Sequence, residues 1–319
     1  MFNKILVPLD GSKLAEKALP YAGEMAIHFG SEITLLHSRD IGETTRHKDM
    51  QTYLDKTAAD LEKRITGAFT NKAKPKAKVA TTITGAGGMG NNAAAEILGY
   101  AETKDIDLII MATHGRTGIT RWVLGDTANK VARAFSCPIL LIRSATDVPE
   151  DIHFEKIMVP LDGSKESEAV LPYVEGLVAK IKSDIRLLNV VELLYHVYAY
   201  PAAAGYGGDG IVRVPFNPEE MKSYKETGEK YIKGISSKLK EKGFNNSAGV
   251  RVGVPGDEII EAEKEIKPEL IIMSTHGHSG FGRWEHGSIT DKVLHAGTTP
   301  LLLVRPQNTK SGSTDNGDK

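Results

Sequence analysis

The 319-residue chain contains a single cysteine, Cys137, so no disulfide can form within it. Cys137 precedes Pro138 at the start of an apolar run, where a thiol reads as a small packed side chain rather than a reactive group. An excess of one charge is also missing. With 40 Lys and Arg against 41 Asp and Glu the formal net charge is −1, and nothing in it calls for a nucleic-acid partner. No segment is apolar for long enough to span a bilayer, and MFNKILVPLDGS enters a strand-like run without a signal-type apolar region. The expectation is a cytoplasmic protein without a membrane partner. The pattern G-x-x-x-x-G-K-[ST] is absent as well, which removes the usual nucleoside-triphosphatase machinery.

What the chain does have is an internal repeat. KILVPLDGSKLAEKALPYA at Lys4 to Ala22 recurs as KIMVPLDGSKESEAVLPYV at Lys156 to Val174. LIIMATHGRTGITRWVLGDTANKVARAFSCPILLIR at Leu108 to Arg143 recurs as LIIMSTHGHSGFGRWEHGSITDKVLHAGTTPLLLVR at Leu270 to Arg305. Two homologous domains follow, over residues 1–146 and 152–306. The polar join SATDVPEDIH lies between them, and the tail 307–319 has the composition of a disordered end.

Each long repeat opens with an apolar run lacking alternation, passes through a glycine-spaced loop, and continues through an amphipathic segment into a second apolar run. That is strand, loop, helix, strand, with strands buried on both faces, which implies a parallel α/β sheet. In the first domain, strands are expected at Ile5 to Leu9, Ile33 to His37, Val79 to Ile83 and Leu108 to Thr113, with the run after Pro138 last. Helices are expected where Leu14, Ala18, Ala22, Met25 and Phe29 keep helical spacing up to Gly30, where Leu54, Ala58, Leu61 and Ile65 do the same, and over Ala93 to Ala101. Ser12 suits the N-cap of the first helix, and Pro20, like Pro172 in the second copy, predicts a kink. The fold class is therefore α/β, two tandem doubly wound domains, each with five strands and four helices. The second domain adds an insertion at 193–218, rich in Tyr, Ala, Gly and Pro, readable either as a lid or as a contact surface.

The glycine loops fall at the carboxyl ends of the strands, where open α/β sheets bind ligands, and each is followed by a helix whose N-terminus favours an anion. Glycines let backbone N–H groups approach phosphate oxygens, and a hydroxyl at the helix start can cap it or donate to the anion. Asp10 and Asp162, each following the first strand of its domain, either meet ribose hydroxyls or a phosphate-bound metal, or hold the Asp-Gly-Ser turn.

VPLDGS, the Thr-His-Gly turn, nine residues from that turn's glycine to Gly-Ser, and PLLLVR together resemble the universal stress protein family in tandem two-domain form, over nearly the whole chain. The resemblance implies a sheet order of 3-2-1-4-5 in each domain and a site for ATP, or AMP or ADP, with or without Mg. Carried over by position, that site in the second domain comprises Pro160, Asp162, Val190 beside the base, and Met273, Ser274, Gly277, Gly287, Ser288 and Ile289 around the phosphates. In the first domain it comprises Pro8, Asp10, Ser38, Met111, Ala112, Gly115, Gly125, Asp126 and Thr127. Two departures stand out. Ser38 replaces an apolar base contact, and Asp126 puts a carboxylate where the family has Ser or Thr, so the second domain is expected to bind more tightly. In that domain Glu285 and His286 replace Val123 and Leu124 near the phosphates.

Three patterns mislead. Gly85 to Gly90 matches G-x-G-x-x-G, but it follows the third strand and the second repeat reads GVPGDE there. His276, His278, His286 and His295 cluster without metal-ligand spacing. The third is a lysine P-loop, which would explain phosphate binding but has no G-x-x-x-x-G-K-[ST] here, so phosphate binding does not entail hydrolysis. The leading function is a stress-response module that binds adenine nucleotide and changes its interaction with an unidentified protein partner. A slow ATP hydrolase or phosphotransferase and a nucleotide-free scaffold are the alternatives, and no catalytic residue is assigned. Because each repeat ends in an apolar strand expected at a sheet edge, the two edges are predicted to pair antiparallel within the chain as a pseudo-dimer. Any homodimer would then use the insertion.

Overall fold

A computed structural model of the protein describes residues 1–39, 47–68, 78–85, 92–113, 124–143, 149, 151–192, 195–200, 210–275 and 287–306. The tail 307–319 and most of the join lie outside the described residues. The first half runs β1 (Lys4–Pro8), a 3-10 turn (Ala15–Ala18), α1 (Leu19–Phe29), β2 (Glu32–Ser38), α2 (His47–Ala68), β3 (Val79–Thr84), α3 (Ala93–Thr103), β4 (Leu108–Ala112), α4 (Asp126–Ala134) and β5 (Ile139–Ile142). The second half runs β6 (Lys156–Pro160), α5 (Lys165–Glu168), α6 (Leu171–Val178), β7 (Asp184–Glu192), the hairpin β8 (Tyr195–Tyr200) and β9 (Gly210–Pro215), α7 (Pro218–Glu241), β10 (Asn246–Gly253), α8 (Pro255–Ile266), β11 (Leu270–Ser274), α9 (Ser288–Ala296) and β12 (Leu301–Val304).

The strands form one ten-stranded sheet in the order β10-β7-β6-β11-β12-β5-β4-β1-β2-β3. Each half is parallel and has the expected 3-2-1-4-5 order. At the centre β5 and β12 pair antiparallel, with Leu301 opposite Leu141, Leu302 opposite Leu140 and Leu303 opposite Ile139. Leu140 and Leu302 are equivalent in the repeat, as are Ile139 and Leu301, so the pseudo-two-fold axis passes through the Leu140–Leu302 pair. Pairing removes the apolar edge that each half would otherwise leave open.

Two cores lie on the two faces of this sheet, and both run through the seam. One gathers Val7, Leu35, Leu54 and Ile65 from the first half with Val159, Leu187, Ile232 and Ile235 from the second. The other gathers Ile97, Met111 and Val131 with Ile259, Met273 and Val293. Beyond the strands, Phe2 stacks on Tyr173 at 6.2 Å between centroids, and the repeat-equivalent pair Phe154 and Tyr21 meets at 6.3 Å.

The kink expected at the prolines is a division instead. Ala15–Ala18 is a 3-10 turn and α1 begins at Leu19 with Pro20 in its first turn; likewise α5 ends before α6 begins at Leu171 with Pro172. Proline donates no N–H, so it is tolerated where a helix starts and splits the segment there. Gly30 ends α1 in the left-handed region at φ 69°, with its N–H donated to Ala26 O at 2.8 Å. The insertion contributes an antiparallel hairpin, an element its sequence did not reveal.

Candidate functional site

Both halves turn the chain in the same way after the first strand. Gly11 at φ 81° and Gly163 at φ 89° take the left-handed conformation that the Asp-Gly-Ser turn requires. Asp10 Oδ1 accepts the Ser12 N–H at 2.9 Å, and the Ser12 hydroxyl accepts the Ala15 N–H at 3.1 Å. In the second half Asp162 Oδ1 accepts the Ser164 N–H at 2.9 Å and its hydroxyl at 2.6 Å, while Ser164 Oγ caps α5 through the Ser167 N–H at 3.0 Å. The turn-holding role of the two aspartates is thus present in both halves. The next strand is tied to the same corner: His37 Nδ1 lies 2.8 Å from Leu9 O, and Asn189 Nδ2 donates to Leu161 O at 2.8 Å.

The glycine loops are pinned at both ends. Thr113 N–H donates to Ile142 O at 2.8 Å and Gly125 N–H to Thr113 O at 2.9 Å; Thr275, Val304 and Gly287 repeat this at 3.0 and 2.9 Å. Gly115 and Gly277 lie outside the described residues, as do His276, His278, Glu285 and His286. Gly125 and Gly287 are the N-cap residues of α4 and α9, which places Asp126 and Ser288 at the first helical position rather than at the cap. Both side chains are exposed there, and Asp126 pairs with Lys130 at 2.6 Å. Thr290 Oγ1 donates to Ser274 O at 3.0 Å, tying α9 to the end of β11.

At the carboxyl ends of β1, β2 and β4 the first half holds a half-open cavity of about 280 Å³. Pro8, Asp10, Ser38, Met111, Ala112, Gly125, Asp126 and Thr127 all line it, drawn together from four separate stretches of chain. Leu9, Ala15, Leu36, His37, Ala93, Ile97, Thr113 and Ala128 also line it and were not singled out as site residues from the sequence. Thr113 could have been, since it opens Thr-His-Gly in both copies. Among the described lining residues the charged ones are two carboxylates, Asp10 and Asp126, with no Lys or Arg.

The second-half residues occupy equivalent places by register. Pro160 and Met273 are buried, Ser274 is 6% exposed, and Asp162, Val190, Gly287 and Ile289 are half-buried. Of the histidine pattern only His295 lies among the described residues; it sits on α9 with Nδ1 2.8 Å from Asp291 O. The other pattern, G-x-G-x-x-G, is described only at Gly85, with φ 85°. No helix among the described residues is long and apolar enough to cross a membrane.

Comparison with known proteins matches a model of the universal stress protein family twice, at residues 1–143 and 153–305. The universal stress protein YxiE of Bacillus subtilis is 32% identical over 45% of this chain and all of its own length. The universal stress protein Slr1230 of Synechocystis is 24% identical over 95% of this chain and all of its own. Among solved structures, a universal stress protein from Archaeoglobus fulgidus aligns over 97% of this chain and 98% of its own with a TM-score of 0.65 at 16% identity, which speaks to the fold.

Proposed function

The chain belongs to the universal stress protein family, and from that premise we propose that it is a cytoplasmic adenine-nucleotide-binding module of the stress response, acting through a partner surface that changes with ATP, ADP or AMP occupancy. One observation carries the reading. Eight residues assigned to a nucleotide site by their place in the sequence line a single cavity at the carboxyl ends of the first-half strands, where ligands bind in open α/β sheets.

The second half is the better phosphate site on chemical grounds. At the start of α9 the backbone N–H groups after Gly287 are without helical partners, the positive dipole end lies there, and Ser288 adds a hydroxyl. Gly287, held by Thr275, lets a phosphate approach the backbone closely. Asp162, two residues past β6, and Val190, on β7, are the residues we assign to ribose and base.

The test is native mass spectrometry of the purified protein for co-purified nucleotide, followed by equilibrium dialysis with ATP, ADP and AMP. A bound adenine nucleotide, weakened by Ser288→Asp, is the expected result. Absence of saturable binding of all three overturns the reading and leaves a nucleotide-free scaffold.

A further inference from the structure

The two halves differ at the end of the site that suits a ring. In the first-half cavity the wall formed by Leu36, Ile97 and Met111 is apolar and fits a flat base, while the start of α4 offers a helix N-terminus to a phosphate. Ser38 lies on the ring side. Strand residues alternate between faces, so Ser38 shares with Leu36 the face of β2 that packs toward Ile97 and Met111, and it lines the cavity. Its register partner on β3 is Thr84, which stands on the same face because Val79 and Ile83 pack on the other. Both hydroxyl oxygens are buried, and neither meets a hydrogen-bond partner among the described residues. A buried hydroxyl without a partner is costly, and a ligand edge that completes it accounts for its presence. The second half is built otherwise. Val190 takes the place of Ser38, each two residues past the carbonyl that receives the Leu161 or Leu9 N–H. In register with Val190 stands Arg251, which is committed to Glu258 at 3.3 Å and to Glu265.

Resting on the adenine-nucleotide reading above, we propose that Ser38 determines base specificity in the first half, its hydroxyl accepting a hydrogen bond from the exocyclic amine of a bound adenine. A hydroxyl has lone pairs to receive that amine and is free to turn its own proton elsewhere. Rotation about Cα–Cβ brings the oxygen from its buried position onto the cavity that the residue already lines. A purine without the amine leaves the hydroxyl unpaired and is disfavoured for that reason. Thr84 keeps this end of the cavity polar. Val190 offers the base apolar contact alone, so its half draws no such distinction through this side chain. The chain then carries two sites that read the same base differently, one by a hydrogen bond and one by shape.

The experiment titrates the full chain, its methionine methyl groups isotope-labelled, with AMP and with purine riboside 5′-monophosphate, which lacks the exocyclic amine. The Met111 resonance, from the cavity wall, reports the first half, and that of Met273, its equivalent on β11, reports the second. In wild type the Met111 titration should favour AMP over the analogue by roughly three- to tenfold, the worth of one hydrogen bond. Ser38→Val, which installs the kind of side chain the second half has, should erase that preference by weakening AMP and leave the Met273 titration as it was. Equal affinity of wild type for the two ligands at Met111 overturns the inference without recourse to a variant, and so does a preference that survives in Ser38→Val. AMP that moves Met273 but not Met111 overturns it while the adenine-nucleotide reading stands. If AMP moves neither resonance, both fail.

Discussion

Arg143 and Arg305 stand at the same position of the two repeats, and each crosses the central seam to the carboxyl end of the other half's last helix. Arg143, 6% exposed, donates Nη2 to Val293 O at 2.8 Å and Nε to Thr299 O at 3.2 Å, with Nη1 on Leu294 O. Arg305 donates to Arg133 O and lies over the Phe135 ring at 5.0 Å from its centroid. A cation at a helix carboxyl end completes the dipole. The helices so held, α4 and α9, are the two whose N-termini face the candidate sites, so the seam fixes the far ends of both.

The two arginines differ in depth, and their replacement should differ in cost. Burial pulls the Arg143 guanidinium down to about 10, with Glu263 opposing the shift. Glu263 is itself buried and accepts the Thr298 and Thr299 N–H groups at 2.7 and 2.6 Å. Arg143→Ala strands carbonyl groups and leaves that carboxylate without its cation, so urea denaturation should show a loss of about 3–5 kcal/mol. Arg305→Ala, half-exposed, should cost about 1–2 kcal/mol. Equal losses would mean that the seam network contributes nothing specific.

Symmetry of register makes a second prediction. Because Leu140 faces its own repeat-equivalent Leu302, a chain cut after residue 146 presents an edge complementary to itself. Isolated residues 1–146 should dimerise through β5, Leu140 opposite Leu140, in light scattering. The Ile139 to Ile142 amides should be protected from exchange. A soluble monomer with those amides exchanging freely is the contrary outcome.

The parallel sheet and its seam were legible because their information is local and repeated. The apolar runs Leu108 to Met111 and Leu270 to Met273 lack alternation, and ILLIR and LLLVR announce two edges of the same shape. The Arg143–Glu263 arrangement was not legible. Its partners lie 120 residues apart, and an arginine ending a strand looks the same in sequence whether solvated or buried. The cavity was half legible: the turn and loop residues follow from motif spacing, but Leu36, Ala93 and Ile97 enter only when β2 and α3 are laid beside β1. The hairpin was missed because YHVYAY and GIVRVP are separated by the nine residues 201–209, too many for the two-residue turn that marks a hairpin in sequence.

Cys137 links packing to pH. Burial, with the Asp107 carboxylate adding to it, pushes this thiol from 9.0 up to about 11. The unfolded thiol ionises first, so stability attributable to the protonated thiol is intact below pH 9 and falls as pH rises toward 11, by about 2–3 kcal/mol in all. The stability of wild type relative to Cys137→Ser should therefore decline between pH 8.5 and 10.5 in denaturant titrations. Disulfide exchange with an aromatic disulfide reagent should be slow in native protein and fast in urea. A flat difference across that window would show the thiol to be solvated.

Among the described residues the hairpin of β8 and β9 pairs only within itself and stands outside the ten-stranded sheet. A lone two-stranded hairpin is marginal in water, which makes it the surface we assign to homodimer contact. Replacing residues 195–215 with a short Gly-Ser linker should leave far-UV circular dichroism and melting nearly unchanged while lowering the mass in light scattering. An unchanged mass moves the contact elsewhere, and a collapsed melting transition means that the hairpin supports its own half.

Ser288→Asp tests the phosphate site most directly. Ser288 opens α9 as Asp126 opens α4, exposed and at the first helical position. The exchange removes a hydroxyl able to donate to a phosphate and adds a carboxylate beside it, a combined effect of about 1.4–3 kcal/mol. Calorimetry should show ATP binding to the second half weakened by roughly one to two powers of ten. Helix stability should not suffer, since an acidic residue in the first turn favours the helix. Unaltered ATP affinity in Ser288→Asp, with binding abolished by Gly125→Ala and Asp126→Ala instead, would assign the phosphate to the first half.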